Sequence, residues 1–233
     1  MDKHLSSQFD NELNDICSKL LEMGGLVENQ LSTSLQALQT FDSSLADSVF
    51  AYENILNQLE IEVDSECNNI IVRRQPTAKD LRLIMAISKA TTNLERAGDE
   101  AAKIAKKTKH ILENGNANVI NFSELKVAGG LALQLLHRSL DAFARLDVSA
   151  AVKIVQEDKA IDDEFSAFVR KLITYMMENP RTISIGLDFL FIGKAIERIG
   201  DHAKNIAEFV IYIVKGTDVR HQSFEEKQRQ ALN

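Results

Sequence analysis

The chain has little of anything that interrupts a helix. Its 233 residues include only 2 prolines and 10 glycines, and no tryptophan. Ala, Leu, Ile, Lys and Glu are abundant, a composition of strong helix formers. No segment alternates polar and apolar residues as a half-buried strand would. The two cysteines, Cys17 and Cys67, stand alone with no Cys-x-x-Cys pair. That excludes a disulfide framework or zinc knuckle and fits a reducing compartment. The strongest apolar run, FVIYIV at 209–214, is far short of the roughly 20 residues that span a bilayer. The opening MDKHLSSQFD lacks the apolar stretch of a signal peptide. Acidic residues outnumber basic ones, 34 to 27, for a formal net charge of -7. No basic excess is therefore available to displace counterions from nucleic acid. Also missing are a Gly-rich phosphate loop and any triad-like grouping of Ser and His. These absences lead us to expect a soluble, cytoplasmic, all-α protein that binds no nucleic acid.

Apolar spacing divides the chain into six helical stretches. The first runs from about residue 5 to Phe41, with Leu13, Ile16, Leu20, Val27, Leu31, Leu35 and Leu38 on one face. Asp42 caps the second, which reaches Arg74 and stops before Pro76. Thr77 to Asp80 reads as a capping box for the third, which ends near Leu112. The fourth spans Ser123 to Leu146. Asp147 caps the fifth, which Asn179-Pro180 terminates. The sixth continues to Lys215, with Gly216 as its stop. The expected division is a first three-helix bundle over 1–113, a linker at 114–121, a second three-helix bundle over 122–216 and a polar C-terminal tail over 217–233. That tail is either loose or a short added helix.

The two halves repeat. LERAGD at 94–99 returns as IERIGD at 196–201, an offset of 102 residues. Glu95, Arg96, Gly98 and Asp99 recur as Glu197, Arg198, Gly200 and Asp201. Upstream, Gly24, Gly25, Leu35 and Asp42 recur at an offset of 105 as Gly129, Gly130, Leu140 and Asp147. Such a period marks a duplicated helical unit.

The repeated acids carry the chemistry. Glu95 and Asp99 are four residues apart on one helix face, as are Glu197 and Asp201. Asp158 and Asp162 form a third pair on the fifth helix. Glu53 and Asn57 are the matching positions on the second, with an amide for one carboxylate. Like charges at this spacing are tolerable if solvated, if the neighbouring arginine neutralises them, or if a cation bridges them. Two such pairs on adjacent helices could converge as oxygen ligands for Mg, Mn or Fe. No histidine has a glutamate three residues before it, which argues against a di-iron oxidase. A metal-dependent enzyme of the carboxylate-bundle kind stays as the alternative to a binding protein. Gly98 and Gly200 cost about 1 kcal/mol each relative to Ala in a helix, a cost we attribute to close helix packing. The pairs are expected on exposed faces rather than in the core. The second half should hold cations better than the first, because Asp162 stands where the first half has Asn57.

The segments RRQPTAKDLRLIMAISKATTNLERAGD and YMMENPRTISIGLDFLFIGKAIERIGDHAKNIAEFVIYIVKG resemble the PhoU family of bacterial phosphate-transport regulators. The resemblance implies two three-helix bundles side by side and a non-enzymatic negative regulator of the phosphate-starvation response. It implies as partners the ATPase subunit of the phosphate ABC transporter and a membrane sensor histidine kinase, and a homodimer. Association with the membrane would come only through these partners. It also implies metal clusters of Fe, Mn, Zn or Mg, not required for the fold. These would lie on Glu95, Asp99, Glu197, Asp201, Asp158, Asp162 and Glu53.

Overall fold

The computed structural model describes residues 7–114 and 120–232. The start of the first helix near residue 5 and most of the 114–121 linker lie outside the described residues. In order, the chain forms α1 (Ser7–Thr40), α2 (Ser43–Val49), α3 (Glu53–Arg74), α4 (Ala78–Glu113) and α5 (Ser123–Arg145). Then follow α6 (Val148–Glu157), α7 (Lys159–Glu178), α8 (Ile183–Lys215) and α9 (Phe224–Leu232). No strand occurs among the described residues, and the all-α expectation holds.

Local chemistry sets most boundaries. Asp42 accepts from the backbone N–H of Ser44 at 2.8 Å and of Leu45 at 3.3 Å, capping α2. Asp147 accepts from Ala150 N–H at 2.9 Å and caps α6 in the same way. Gly216 ends α8 at φ 75°, its N–H donating to Tyr212 O at 2.9 Å. Only glycine takes that left-handed geometry without strain. The capping box expected at Thr77 does not form, because the Thr77 side chain makes no capping hydrogen bond. The turn around Pro76 is instead made by the left-handed Gln75 and Ala78, with Asp80 N–H donating to Thr77 O at 3.1 Å.

Two expected helices are each broken, at adjoining positions of the repeat. A 3-10 turn at Phe50–Tyr52 separates α2 from α3, and Asp158 separates α6 from α7. In the first half the break follows from packing. Ala46 and Val49 of α2 nestle against Ala37 of α1 and against Ala102 and Ala105 of α4. Those small side chains let α2 lie close, and the turn then re-aims the chain along α3.

Each half is thus a three-helix unit: α1, α2–α3 and α4, then α5, α6–α7 and α8. One continuous apolar core runs through both, including Leu20 and Leu31 of α1, Leu94 of α4, Leu136 of α5 and Ile196 of α8. Each fully buried side chain of this size contributes about 1.5–3 kcal/mol. The halves join where α4 lies antiparallel on α8 and α1 antiparallel on α5. At one end Arg82 Nε donates to Ile213 O at 3.3 Å, and at the other Lys107 meets the buried Asp188 at 2.9 Å. Across α1 and α5 the matched residues interlock. A Cβ at Gly24 would fall 2.6 Å from Leu140 Cδ1, and one at Gly129 would fall 2.6 Å from Leu35 Cδ2. Each half's glycine therefore receives the other half's leucine, which explains why both residues recur.

The ends of the halves are more firmly packed than the sequence suggests. Phe122 leads into α5 with its ring edge-on to Phe41, centroids 5.7 Å apart, and 5.1 Å from Phe189. The C-terminal segment is not a loose tail. Val219 and Ala231 are buried, and Lys227 of α9 holds the buried Glu208 of α8 at 2.5 Å. No helix among the described residues is long and apolar enough to cross a membrane.

The glycine–leucine interlock predicts a coupled mutational effect. Gly24→Ala should destabilise by about 1–3 kcal/mol through overpacking. In a Leu140→Ala background the obstruction is gone, and the same change should be neutral or stabilising by up to about 1 kcal/mol from helix propensity. A double-mutant cycle in denaturant measures this. An equal effect in both backgrounds would show that the two residues do not meet.

Candidate functional site

The repeated acids gather at two places, one in each half. In the second half the break at Asp158 turns that side chain inward under α8, leaving it only 4% exposed. This corrects the expectation that all the pairs lie on exposed faces. Asp162, one turn on along α7, is exposed. From α8, Glu197 and Asp201 face the same space. Lys204 stands among them, its Nζ donating to Asp158 Oδ2 at 2.5 Å and to Asp201 Oδ1 at 2.8 Å. Lys194 Nζ lies 2.6 Å from Glu197 Oε2, close enough for an ion pair although without hydrogen-bond geometry.

Charge and burial compete here. Burial pushes the Asp158 carboxyl above the usual range; Lys204 opposes this, while Asp201 and Glu197 add to it. Although Asp162 reaches solvent, the partial desolvation of its carboxyl raises its pKa, as do Asp158 and Glu197, with Lys204 opposing. Burial alone would lower the Lys204 pKa, but its hydrogen bonds to Asp158 and Asp201 outweigh that and hold the ammonium charged.

In the first half, Glu95 is partly buried and Asp99 exposed, while Glu53 is partly buried near the start of α3. Burial raises the Glu95 pKa, Asp99 and Glu60 raise it further, and Arg96 opposes them. The α3 acid that bears most on Glu95 is thus Glu60, which the sequence reading did not single out. Gly98 and Gly200 serve close packing, as expected. A Cβ at Gly98 would meet Leu56 Cδ1 at 2.7 Å and Gln30 Oε1 at 2.9 Å; at Gly200 it would meet Ile161 Cδ1 at 2.7 Å and Asp158 Oδ1 at 3.0 Å.

Between the two clusters, on the α4–α8 face, is a shallow cleft of about 340 Å³ lined by Arg96, Asp99, Glu100, Lys103, Arg198 and Asp201, with His202. At its floor the buried Glu100 accepts from Lys103 Nζ at 2.7 Å and from Arg198 Nη1 at 3.1 Å. Burial lowers the His202 pKa, against the pull of Glu100, and its Nδ1 pairs with Asn93 Oδ1 at 3.0 Å. Arg96, Lys103 and Arg198 balance Asp99, Glu100 and Asp201, so the cleft has no net attraction for an anion.

The PhoU domain profile matches residues 20–108 and 125–210, one segment in each half. The chain belongs to the PhoU family. It is 54% identical over its whole length to a phosphate-specific transport system accessory protein PhoU homolog from a Burkholderia species, covering 99% of that protein. It is 45% identical over 226 residues to the phosphate-specific transport system accessory protein PhoU of Escherichia coli K12, covering 97% of this chain and 93% of that one. The crystal structure of PhoU from Pseudomonas aeruginosa matches with a TM-score of 0.87 at 46% identity, over 90% of this chain and all of that one. The phosphate transport system regulatory protein PhoU from Streptococcus pneumoniae matches at 0.83 and 30% identity, over 91% and 99%.

In the second half the side chains as placed do not fit the metal cluster that the family resemblance implies. Among the described residues no group of three or more His, Cys, Asp or Glu is arranged to hold a metal ion. In the second half a lysine ammonium already bridges two of the candidate ligands. Lys194, Lys204 and Glu60 are the residues that sequence reasoning missed. Subtracting the 102-residue offset would have exposed the lysines, which stand opposite Thr92 and Ala102.

The direction of the Glu95 shift fixes a pH dependence. A carboxyl whose pKa is higher folded than unfolded favours the folded state most at low pH, and that contribution is lost as pH rises through its folded value. At neutral pH the charged Glu95 therefore disfavours the fold. Glu95→Gln should stabilise by about 0.2–0.5 kcal/mol at pH 7 by removing the like-charge pair with Asp99. The advantage should shrink towards about pH 4, where the wild-type carboxyl takes up a proton. Thermal unfolding of both proteins at the two pH values measures it, and a less stable Gln variant at pH 7 would contradict the assignment.

Proposed function

We propose that this chain is a cytoplasmic, non-enzymatic accessory regulator of phosphate uptake. In this reading it holds the phosphate-starvation response off when phosphate is plentiful. It does so as an adaptor between the ATPase subunit of the phosphate ABC transporter and the sensor histidine kinase of the phosphate two-component system. The observation that carries the reading is full-length similarity to curated phosphate-transport accessory proteins.

The form of the surface supports docking over turnover. The α4–α8 cleft is shallow and charge-balanced, unlike the enclosed, largely apolar pockets that bind small molecules. Exposed apolar side chains instead recur at matched places: Val72, Leu81 and Met85 in the first half, Met177, Ile183 and Leu187 in the second. Because α4 and α8 are antiparallel, these patches lie at opposite ends of the helix pair, where an adaptor could meet two proteins or a second copy of itself. The chain is acidic overall, so complementary charge on a basic partner would tune encounter rate more than affinity. The alternative, a carboxylate-bundle metalloenzyme, is disfavoured by the missing Glu-x-x-His motif and by Lys204 among the acids.

Deleting the gene should switch on phosphate-starvation genes in phosphate-rich medium, read with a promoter reporter, and a plasmid copy should silence them again. Continued silence in the deletion strain, or robust turnover of a phosphate ester by the purified protein, would overturn the adaptor reading.

A further inference from the structure

The two halves are near copies, yet they differ in charge at the repeated acids. With α4 and α8 aligned at the 102-residue offset, Lys194 and Lys204 replace Thr92 and Ala102. Both lysines turn onto the acids of their own half. Lys204 bridges Asp158 on the α6–α7 break and Asp201 on α8, at 2.5 and 2.8 Å, and its side chain is 24% exposed. Lys194 covers Glu197 at 2.6 Å. The first half has a methyl group where Lys204 would be, and Arg96 is the cation that bears on Glu95.

We propose that the Lys204 ammonium is the resident cation of the second cluster, standing between Asp158 and Asp201 where a divalent ion would otherwise bind. The chemistry suits the role. An ammonium is a compact charge with three donors, and two of them are used on carboxylates from two different elements. It is tethered by its own helix, so its local concentration exceeds that of any free ion. A divalent ion entering this space must first expel the ammonium and then suffer its repulsion at close range, which in a partly buried site is only weakly screened. Removing Lys204 instead leaves Asp158 buried and unpaired, a strongly unfavourable state that a bound cation would relieve. The second half is therefore closed by its own side chain and does not depend on metal. This reverses the order expected from Asp162 against Asn57, which counted carboxylates but not the lysine among them.

The test separates the clusters by disabling the first. In a Glu95→Gln/Asp99→Asn background, Mn2+ binding is followed by electron paramagnetic resonance with manganese chloride as the probe. That protein should take up no Mn2+ at concentrations where the same background carrying Lys204→Met binds one equivalent. The gain in affinity should be on the order of tenfold or more. Mn2+ should also raise the melting temperature of the Lys204→Met protein and leave its parent unmoved, a response that a purely structural lysine would not produce. Lys204→Gln repeats the measurement should the Met variant fail to fold. The proposal is overturned if the Glu95→Gln/Asp99→Asn protein already binds Mn2+ and loses it on Asp201→Asn. It is equally overturned if the lysine variants bind none.

Discussion

Helices α4 and α8, 36 and 33 residues long, lie antiparallel along most of their length. At about 1.5 Å per residue each spans roughly 50 Å. This contact makes the two halves one body. It carries the shared apolar core, aligns Arg96 with Arg198 and Asp99 with Asp201 on one face, and sets the exposed apolar patches at opposite ends. It also has a polar register. The buried Asp188 takes Lys107 and His110, and the buried Glu100 takes Lys103 and Arg198. The carboxylates are buried while their cations reach solvent, so the pairs add little net stability, but drawing Lys107 or Arg198 away would leave a buried charge less well answered, which penalises slippage of one helix along the other.

Because the halves meet about an approximate twofold relation, residues of one half are packed by their counterparts in the other. The Gly24–Leu140 and Gly129–Leu35 contacts are one interaction made twice. That is why the repeat was legible in the sequence: a reciprocal interface keeps both partners of each pair. The helix ends were legible for local reasons. Asp42, Asp147 and Gly216 act through their own backbone neighbourhood, and proline ends a helix whatever surrounds it.

What the sequence did not reveal depends on tertiary contacts. The breaks at Phe50–Tyr52 and Asp158 fall in segments with uninterrupted helical periodicity. At the first of them the need of α2 to pack its small residues against α1 and α4 re-aims the chain. The burial of Asp158 follows from its place at such a break. The capping role of Thr77 failed because Ala78 adopts a left-handed backbone that local propensity does not favour. The C-terminal segment looked polar because α9 buries only a narrow stripe and holds the rest by Lys227 on Glu208. Lys194 and Lys204 look like ordinary solvated residues until α7 and α8 are brought together.

The carboxylates then show how duplication and divergence separate. Both halves inherited acids at the same helical positions, and both must hold like charges close together in partly buried surroundings. The second half meets this partly within the chain: Lys204 opposes the burial that raises the Asp158 pKa, and Lys194 lies against Glu197. The first half leaves Glu95 between Asp99 and Glu60, with Arg96 in opposition and its pKa still raised. The two halves thus answer the same repulsion with different cations, and the field of this near-symmetric molecule is not symmetric.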